Sequence, residues 1–304
     1  HCYCMSTPQN YKPNRLTHEE WIGLIDDIRE LECRSIQFIG GEPLLYGDKL
    51  FELASHAKEI GMKRMELFSN FTTLTEEWAD RMAELGMVAA TSIYSKRPEV
   101  HDEITTVPGS FERTMRGVNM IRERGIKLRV ACTIMKQNQD YADETMKFLK
   151  EIGAPRHRTF DVVRPSGRGN DAEIIPDKYP KNNRCKTTAT FRVTDKNTFI
   201  KRFNGNGCWQ GKIAISSEGD VNPCIMQRDG TAENVRNKPL KEIIKGDIHK
   251  YWDISLDKID ICKDCEYRYA CHDCRVVASG ESGSLTARSL HCRYDPYAGE
   301  WKDS

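Results

Sequence analysis

The chain has 304 residues, 38% of them hydrophobic, and its 46 Lys and Arg residues nearly balance its 45 Asp and Glu residues. This balance gives no electrostatic reason to expect nucleic acid or an anionic membrane as a partner. No run approaches eighteen apolar residues and no secretory signal is visible, so we expect a cytoplasmic protein without a membrane span. The length suits one large domain, or one large and one small domain.

Helix-like and strand-like stretches alternate from about residue 16 to residue 165. Thr17-His18-Glu19-Glu20 is a capping-box start for the first helix, and Thr75 opens another. About five βα units are visible, and a strand before His1 would make six. We therefore predict an α/β fold, a partial (βα)6 TIM-like barrel with its chemistry at the C-terminal strand ends. An ordinary doubly wound sheet has the same periodicity. The strand-like stretches are SIQFIG, RMELFSN, VAATSIYS, IKLRVACTIM and RTFDVVRP.

The composition changes after the predicted barrel, which occupies residues 1–165. Residues 166–207 are polar and rich in Gly, Pro and Asn, which is typical of a linker or bridging region. Residues 208–304 contain short strands, many turns and most of the cysteines. We predict that they form a second, small, cysteine-rich domain stapled by metal.

The twelve cysteines are unevenly distributed. Residues 5–184 contain only Cys33 and Cys132, which we interpret as core residues, whereas residues 185–292 contain eight. Dense cysteine at one end of an otherwise ordinary chain favours metal over a disulfide scaffold. Cys208 and Cys224 flank a predicted hairpin that turns at Ser-Glu-Gly-Asp, so the two thiols return to the same side.

Two CxxC pairs follow, only five residues apart, and each pair presents two thiolates to a metal. Zinc ribbons usually separate their pairs by about 15–20 residues. Seven cysteines also exceed the four that one zinc takes, so the pattern favours iron–sulfur, with structural zinc as the alternative. The cysteines after the hairpin are Cys262, Cys265, Cys271, Cys274 and Cys292.

The order C-x10-G-x4-C, C-x2-C-x5-C-x2-C and C resembles the SPASM extension of radical SAM enzymes, which usually has three residues within the last close pair. The resemblance implies two auxiliary [4Fe–4S] clusters. The fourth ligand of the first is either Cys185 or an open position, and Cys185 is otherwise a free thiol. By the family pattern the first cluster is held by Cys208, Cys224 and Cys274, and the second by Cys262, Cys265, Cys271 and Cys292.

The opening residues are similar to the end of the C-x3-C-x2-C motif with which radical SAM enzymes hold their catalytic [4Fe–4S] cluster. An aromatic residue commonly follows the last cysteine, as Tyr3 follows Cys2. The resemblance makes Cys2 the third ligand and leaves Cys4 as an extra thiol. We expect the first two ligands to precede His1, and the chain as given not to cleave S-adenosylmethionine (SAM) reductively. Alternatively, Cys2 and Cys4 are unpaired terminal thiols.

Gly40-Gly41-Glu42-Pro43 directly follows a predicted strand, and paired glycines let a backbone approach a ligand closely. In the family this motif holds the SAM ammonium, which implies that Glu42 is its acceptor while Pro43 stiffens the turn.

Other strand ends match SAM-binding positions of the family, although each residue could instead cap a loop. Arg164 and Arg168 flank a turn that could meet the SAM carboxylate or a substrate, or simply end a strand. The implied SAM contacts at strand ends are Ser69, Asn70, Ser92 and Asn138.

The resemblance implies an enzyme that reductively cleaves SAM to a 5′-deoxyadenosyl radical, which abstracts hydrogen from its substrate. Enzymes with the SPASM extension most often modify peptides, so we favour ribosomal-peptide maturation by thioether or carbon–carbon crosslinking. A tetrapyrrole or heme-pathway enzyme is the alternative. Sulfatase maturases typically carry Asp directly after the second cysteine of the hairpin. This chain has Ile225 there, which counts against sulfatase maturation. A flavodoxin or ferredoxin would supply electrons. No acid–base dyad stands out, and the non-enzyme alternative is a zinc-stapled binding protein.

Overall fold

The computed structural model describes residues 1–5, 15–153, 160–164, 166–178, 195–227, 230–271, 273–289 and 292–301. Pro165 and Cys185 lie outside the described residues. Two compact units share the chain. The sheet unit contains Thr17–Val163 and Pro176–Lys178, and the cysteine unit contains His1–Leu16, Arg164–Ile175 and Tyr179–Ser304. None of the helices found in the described residues is long and apolar enough to cross a membrane.

The sheet unit is built on five parallel strands that follow one another in sequence order, as the βα pattern predicts. Thr17 and Thr75 accept hydrogen bonds from the third residues of their helices, so both predicted caps are confirmed. The strands are β1 Ser35–Phe38, β2 Arg64–Phe68, β3 Val88–Ser92, β4 Leu128–Ile134 and β5 Phe160–Val162. The helices are α1 His18–Glu30, α2 Asp48–Glu59, α3 Glu76–Glu84, α4 Pro98–Thr105, α5 Ser110–Glu123 and α6 Ala142–Glu151.

The two faces of this sheet differ in character. Val130, Cys132 and Ile134 alternate along β4 and are buried, so their face packs into the apolar core. Burial raises the pKa of the Cys132 thiol to about 12, and its prediction as a core residue is confirmed. The prediction for Cys33 is wrong, because Cys33 is only half-buried in the loop after α1, where its Sγ donates to the carbonyl of Ser35.

Helix α4 was not predicted, because it has fewer than three turns and its pattern is broken by polar residues. Pro98 begins it, and Thr106 ends it in the left-handed region with φ of 60°. Asp102 then fixes the start of α5 by accepting from Ser110 Oγ and the Phe111 amide at 2.9 and 2.8 Å. The loop after β3 is therefore held by a local network.

Helix α5 packs so closely on the loop after β2 that only glycine fits at position 117. A Cβ there would lie 2.5 Å from Phe71 Cβ and 2.8 Å from the Phe71 carbonyl oxygen. We expect Gly117→Ala to lower the free energy of unfolding by about 2–3 kcal/mol, because backbone must move. Gly23→Ala on α1 is the control, since no atom lies within 4 Å of its Cβ position. It should raise the free energy of unfolding by about 0.5–1 kcal/mol, because alanine favours the helix more than glycine does. Urea denaturation measures both, and equal changes would contradict the contact.

The cysteine unit consists of small sheets and short helices. The predicted hairpin is confirmed, because β6 and β7 pair antiparallel and Gly219 turns between them with φ of 94°. The predicted linker contains helix α7, which its polar composition did not indicate; Asp195 caps it by accepting from the Thr198 amide. The strands are β6 Ala214–Ile215, β7 Asp220–Asn222, β8 Glu233–Asn234, β9 Tyr294–Asp295 and β10 Glu300–Trp301. The helices are α7 Lys196–Asn204, α8 Leu240–Lys245, α9 His249–Trp252 and α10 Arg275–Ser282.

Candidate metal and cofactor sites

The Gly40–Pro43 loop leaves the C-terminal end of β1 and is organised around one carboxylate. Gly40 and Gly41 have φ of 97° and 52°, so both adopt the left-handed region that glycine tolerates. Glu42 Oε1 accepts from Ser69 Oγ at 2.6 Å and from the Leu44 amide at 3.0 Å, and Oε2 accepts from the Asn70 amide at 2.9 Å. Glu42 therefore joins the ends of β1 and β2.

The structure brings Glu42, Ser69 and Asn70 together, but it does so through hydrogen bonds among themselves. Each carboxylate oxygen has two lone pairs, so Oε2, which accepts one hydrogen bond among the described residues, retains capacity for a ligand ammonium. The arrangement fits a cationic amine at this edge of the sheet. Their contacts with SAM stay a prediction.

Asn138 and Ser92 occupy two further strand ends. The Asn138 amide donates to the carbonyls of Tyr94 and Thr133 at 2.8 and 2.9 Å, while its Oδ1 accepts from the Met135 amide at 2.7 Å. These hydrogen bonds of the buried Asn138 side chain agree with the alternative that Asn138 caps a loop. Ser92 is half-buried at the end of β3, and its contact with SAM remains a prediction.

In the cysteine unit, the turn at Gly167 packs directly on the opening residues. A Cβ at Gly167 would lie 2.7 Å from the Cys2 carbonyl oxygen and 2.5 Å from that of Tyr3. The Arg168 amide donates to the Cys2 carbonyl at 3.2 Å. Sequence reasoning singled out this turn as a possible contact for SAM or a substrate, but it did not predict the close approach of Gly167 that positions the Cys2 backbone.

The cysteines after the predicted linker fall into two electrostatic neighbourhoods. Burial raises the pKa of the Cys224 thiol, and the neighbouring Cys208 and Cys274 raise it further, while Arg164 opposes them. The turn at Gly167 also contacts the segment that follows Cys224, because Ser166 Oγ donates to the Met226 carbonyl at 2.8 Å. The structure thus groups Cys208, Cys224 and Cys274, despite the shorter spacing before Cys274.

The second neighbourhood gathers the remaining four cysteines. The pKa of the Cys262 thiol is raised to about 11. Desolvation is the largest cause, and the charges of Asp273 and Cys292 come next. The thiolate of Cys271 is likewise opposed by desolvation and Asp273, then by Cys292, Cys262 and Cys265. These neighbourhoods agree with the two ligand sets that the resemblance implies, and four thiolates are a full complement for a [4Fe–4S] cluster. The assignment of each cysteine as a ligand stays a prediction.

A buried ion pair that the sequence did not reveal supports this group. The Arg275 side chain is 0% exposed and pairs with Asp273. Its Nη1 also donates to the carbonyls of Leu285 and Ala287 at 3.0 and 2.6 Å. Asp273 and Arg275 flank Cys274 in sequence, so the pair ties the second CxxC segment to the loop that leads to Cys292.

In the described ranges, no three His, Cys, Asp or Glu side chains converge on a single metal-ion position. The thiols instead form two looser groups. Soft thiolate ligands in this number suit iron–sulfur clusters, so the donor sets fit the group that the sequence implies.

Arg288 donates directly to one of these thiols, from Nη2 to Cys292 Sγ at 3.3 Å. Hydrogen bonds to ligating sulfurs raise a cluster's reduction potential, because they stabilise the more negative reduced state. We expect Arg288→Gln to lower the midpoint potential of one auxiliary cluster. Redox titration followed by electron paramagnetic resonance measures this, with Arg236→Gln as the control. An unchanged potential would contradict either the bond or the ligand assignment.

Two protein families match the chain. Residues 1–149 match the Radical SAM superfamily, and residues 208–275 match the iron–sulfur cluster-binding domain named SPASM. The two matched ranges contain, respectively, the Gly40–Pro43 loop and most of the grouped cysteines.

Curated relatives cover nearly the whole chain. An AdoMet-dependent heme synthase of Methanosarcina barkeri is 28% identical, over 97% of this chain and 92% of its own length. An Fe-coproporphyrin III synthase of the same organism is 32% identical, over 96% of this chain and 83% of its own length. A more distant relative, the antilisterial bacteriocin subtilosin biosynthesis protein AlbA of Bacillus subtilis, is 22% identical over 90% of this chain and 63% of its own length.

The fold also matches a solved structure, described as native anSMEcpe with bound AdoMet. The TM-score is 0.69 at 18% identity, covering 98% of this chain and 90% of that one. At this identity the match concerns the fold alone. It confirms the predicted partial TIM-like barrel with a C-terminal cysteine-rich domain.

Proposed function

We propose, from the premise that the chain belongs to the radical SAM superfamily and carries a SPASM domain, that its substrate is an iron tetrapyrrole. Its cofactors are SAM and [4Fe–4S] clusters, one catalytic and two auxiliary. When bound, they supply a 5′-deoxyadenosyl radical that takes a hydrogen atom from a substrate C–H bond. A flavodoxin or ferredoxin is the electron donor in this proposal.

The chain's own residues orient these groups. Glu42 would accept from the SAM ammonium at the end of β1, with Ser69 and the Asn70 amide holding its carboxylate in place. Cys2 would ligate the catalytic cluster, and the Gly167 turn fixes its backbone. The two auxiliary clusters would be held by the two cysteine groups, which donate thiolates once the metal has displaced their protons.

The observation that carries the choice of substrate is the pair of M. barkeri relatives with tetrapyrrole names, 28% and 32% identical over at least 96% of this chain. The sequence alone favoured a ribosomal peptide instead. That second candidate is supported by AlbA, whose printed role is bacteriocin biosynthesis and whose identity is 22%. The higher identity and fuller coverage lead us to place the tetrapyrrole first.

A binding titration tests the proposal without requiring turnover. The chain is reconstituted anaerobically with iron and sulfide, and Fe-coproporphyrin III is added while the porphyrin Soret absorbance is followed. We expect saturable one-to-one binding. A second assay, in protein that carries the complete three-cysteine motif, should give 5′-deoxyadenosine only when the porphyrin is present. No saturable binding would overturn the tetrapyrrole assignment and favour the peptide.

A further inference from the structure

One face of the parallel sheet carries a buried carboxylate between two arginines, which neither the Gly40–Pro43 loop nor the cysteines use. The Glu66 side chain is 8% exposed. Its Oε1 accepts from Arg129 Nη2 at 2.6 Å and from Gln37 Nε2, and its Oε2 accepts from Arg64 Nη2 at 2.9 Å. Burial alone would raise the pKa of Glu66, but these hydrogen bonds, that of Arg129 foremost, hold it below its usual value. The carboxylate is therefore ionised at neutral pH.

Strand register explains how these residues meet. Gln37 lies beside Glu66 across β1 and β2, whereas Arg129 lies opposite Ala90 across β3 and β4. Arg129 has to cross β3 to reach Glu66, and the small Ala90 side chain leaves room for it. The Arg129 guanidinium carbon also lies 5.2 Å from the Phe68 ring centroid, within cation–π range. The ion pair and the ring together hold this guanidinium in one orientation.

The cluster carries more positive than negative charge, because one carboxylate faces two guanidinium groups. Arg64 begins β2 and its side chain is 62% exposed, so solvent screens its charge. Arg129 lies within β4 and is 39% exposed. Its Nη2 bonds Glu66, and among the described residues no acceptor is bonded to its Nε or Nη1. A planar guanidinium with unused N–H groups in a fixed orientation is suited to bind a carboxylate through two hydrogen bonds.

The same face is partly exposed on the C-terminal side of Arg129. Ala131 and Thr133 on β4 and Ser92 on β3 are small and half-buried, while the alternate residues of β4 face the core. Thr133 lies four residues beyond Arg129, a rise of roughly 13 Å along the strand. Because the Glu42 loop lies at that C-terminal edge, Arg129 is separated from the residues that would hold SAM. A ligand that reaches from this edge to Arg129 is therefore an extended molecule with an anionic group at its inner end.

We propose that Arg129 binds a carboxylate of the substrate on this face, with Glu66 as the residue that positions it. The inference rests on the proposed function, since an Fe-coproporphyrin substrate carries propionate side chains and presents carboxylates at its periphery. Arg129 would then fix which side chain of the macrocycle lies at the strand edge where hydrogen abstraction takes place.

The test compares Fe-coproporphyrin III with its tetramethyl ester, which has the same macrocycle without the carboxylates. Both are titrated into the reconstituted protein and its variants, and the Soret absorbance is followed. We expect Arg129→Gln to weaken binding of the acid about tenfold or more, and to leave binding of the ester unchanged. Glu66→Gln keeps a side-chain oxygen that can accept from Arg129 Nη2 and so position it, while it removes the competing negative charge, so it should not weaken binding of the acid. Arg122→Gln, an exposed arginine of α5, is the control and should change neither affinity.

Arg129→Lys guards against a folding defect, because lysine keeps the charge and the pairing with Glu66. It should lose part of the acid affinity, since an ammonium cannot form the two parallel bonds. Equal affinity of the parent and Arg129→Gln for the acid would overturn this inference while leaving the tetrapyrrole proposal intact. Equal weakening of acid and ester would also overturn it, because that result indicates a purely structural role. If the parent binds neither porphyrin, the proposed substrate and this inference both fail.

Discussion

Replacement of Cys224 by Ala is expected to remove about four iron atoms per chain from the anaerobically reconstituted protein, because one [4Fe–4S] cluster loses a ligand. Cys224 is half-buried, and its thiolate interacts with those of Cys208 and Cys274. A cluster that depends on three cysteines has little capacity to tolerate the loss of one. Iron and sulfide analysis with visible absorbance measures the change.

The four cysteines of the second group should show the same loss independently. Cys262→Ala should also remove about four irons, and the double variant with Cys224→Ala about eight, since the two groups hold separate clusters. Cys33→Ser is the matched control, because Cys33 lies in the sheet unit, where its Sγ donates to the Ser35 carbonyl. A loss of iron in the control, or a zinc content in place of iron in the parent protein, would contradict the two-cluster assignment.

Replacement of Glu42 by Gln should weaken SAM binding by roughly 10–100-fold, because a charge-assisted bond to the ammonium becomes a neutral one. Glu42 places a carboxylate at the junction of β1 and β2, where its oxygens accept from Ser69, Leu44 and Asn70. Equilibrium dialysis with labelled SAM, in protein that carries the complete three-cysteine motif, measures the dissociation constant.

Stability and ligand binding can be separated at this loop. Ser69→Ala removes one donor to Glu42 but keeps the carboxylate, so it should cost about 1 kcal/mol of stability while SAM affinity changes far less than in Glu42→Gln. Glu59→Gln, at the exposed end of α2, should change neither quantity. If Ser69→Ala and Glu42→Gln weaken SAM binding equally, the carboxylate acts only by organising the loop.

Local patterns in the sequence determined the elements that depend on near neighbours in the chain. The capping residues Thr17 and Thr75, the hairpin between Cys208 and Cys224, and the order of parallel strands all follow from spacings of a few residues or from repeated βα periodicity. The cysteine spacing identified the family in the same way, because a CxxC hook is a local arrangement of two thiols.

Helices α4 and α7 were missed for the opposite reason. Each is short, with eight residues in α4 and nine in α7, so the apolar pattern spans too few turns to identify a helix, and its stability depends on caps and tertiary contacts. Asp102 organises the loop between α4 and α5, and Asp195 caps α7. A polar composition predicted a linker where the structure has a helix.

Tertiary structure alone decided which residues surround each site. The buried pair Arg275 and Asp273, the Gly167 turn against Cys2, and the meeting of Arg129 with Glu66 across β3 join residues on separate segments or strands. No spacing in the sequence encodes strand register or the approach of a loop to a distant backbone. Local cysteine and glycine motifs are therefore enough to predict the chemistry of the cofactors. The environment that would select a substrate depends on long-range packing, which only the folded chain establishes.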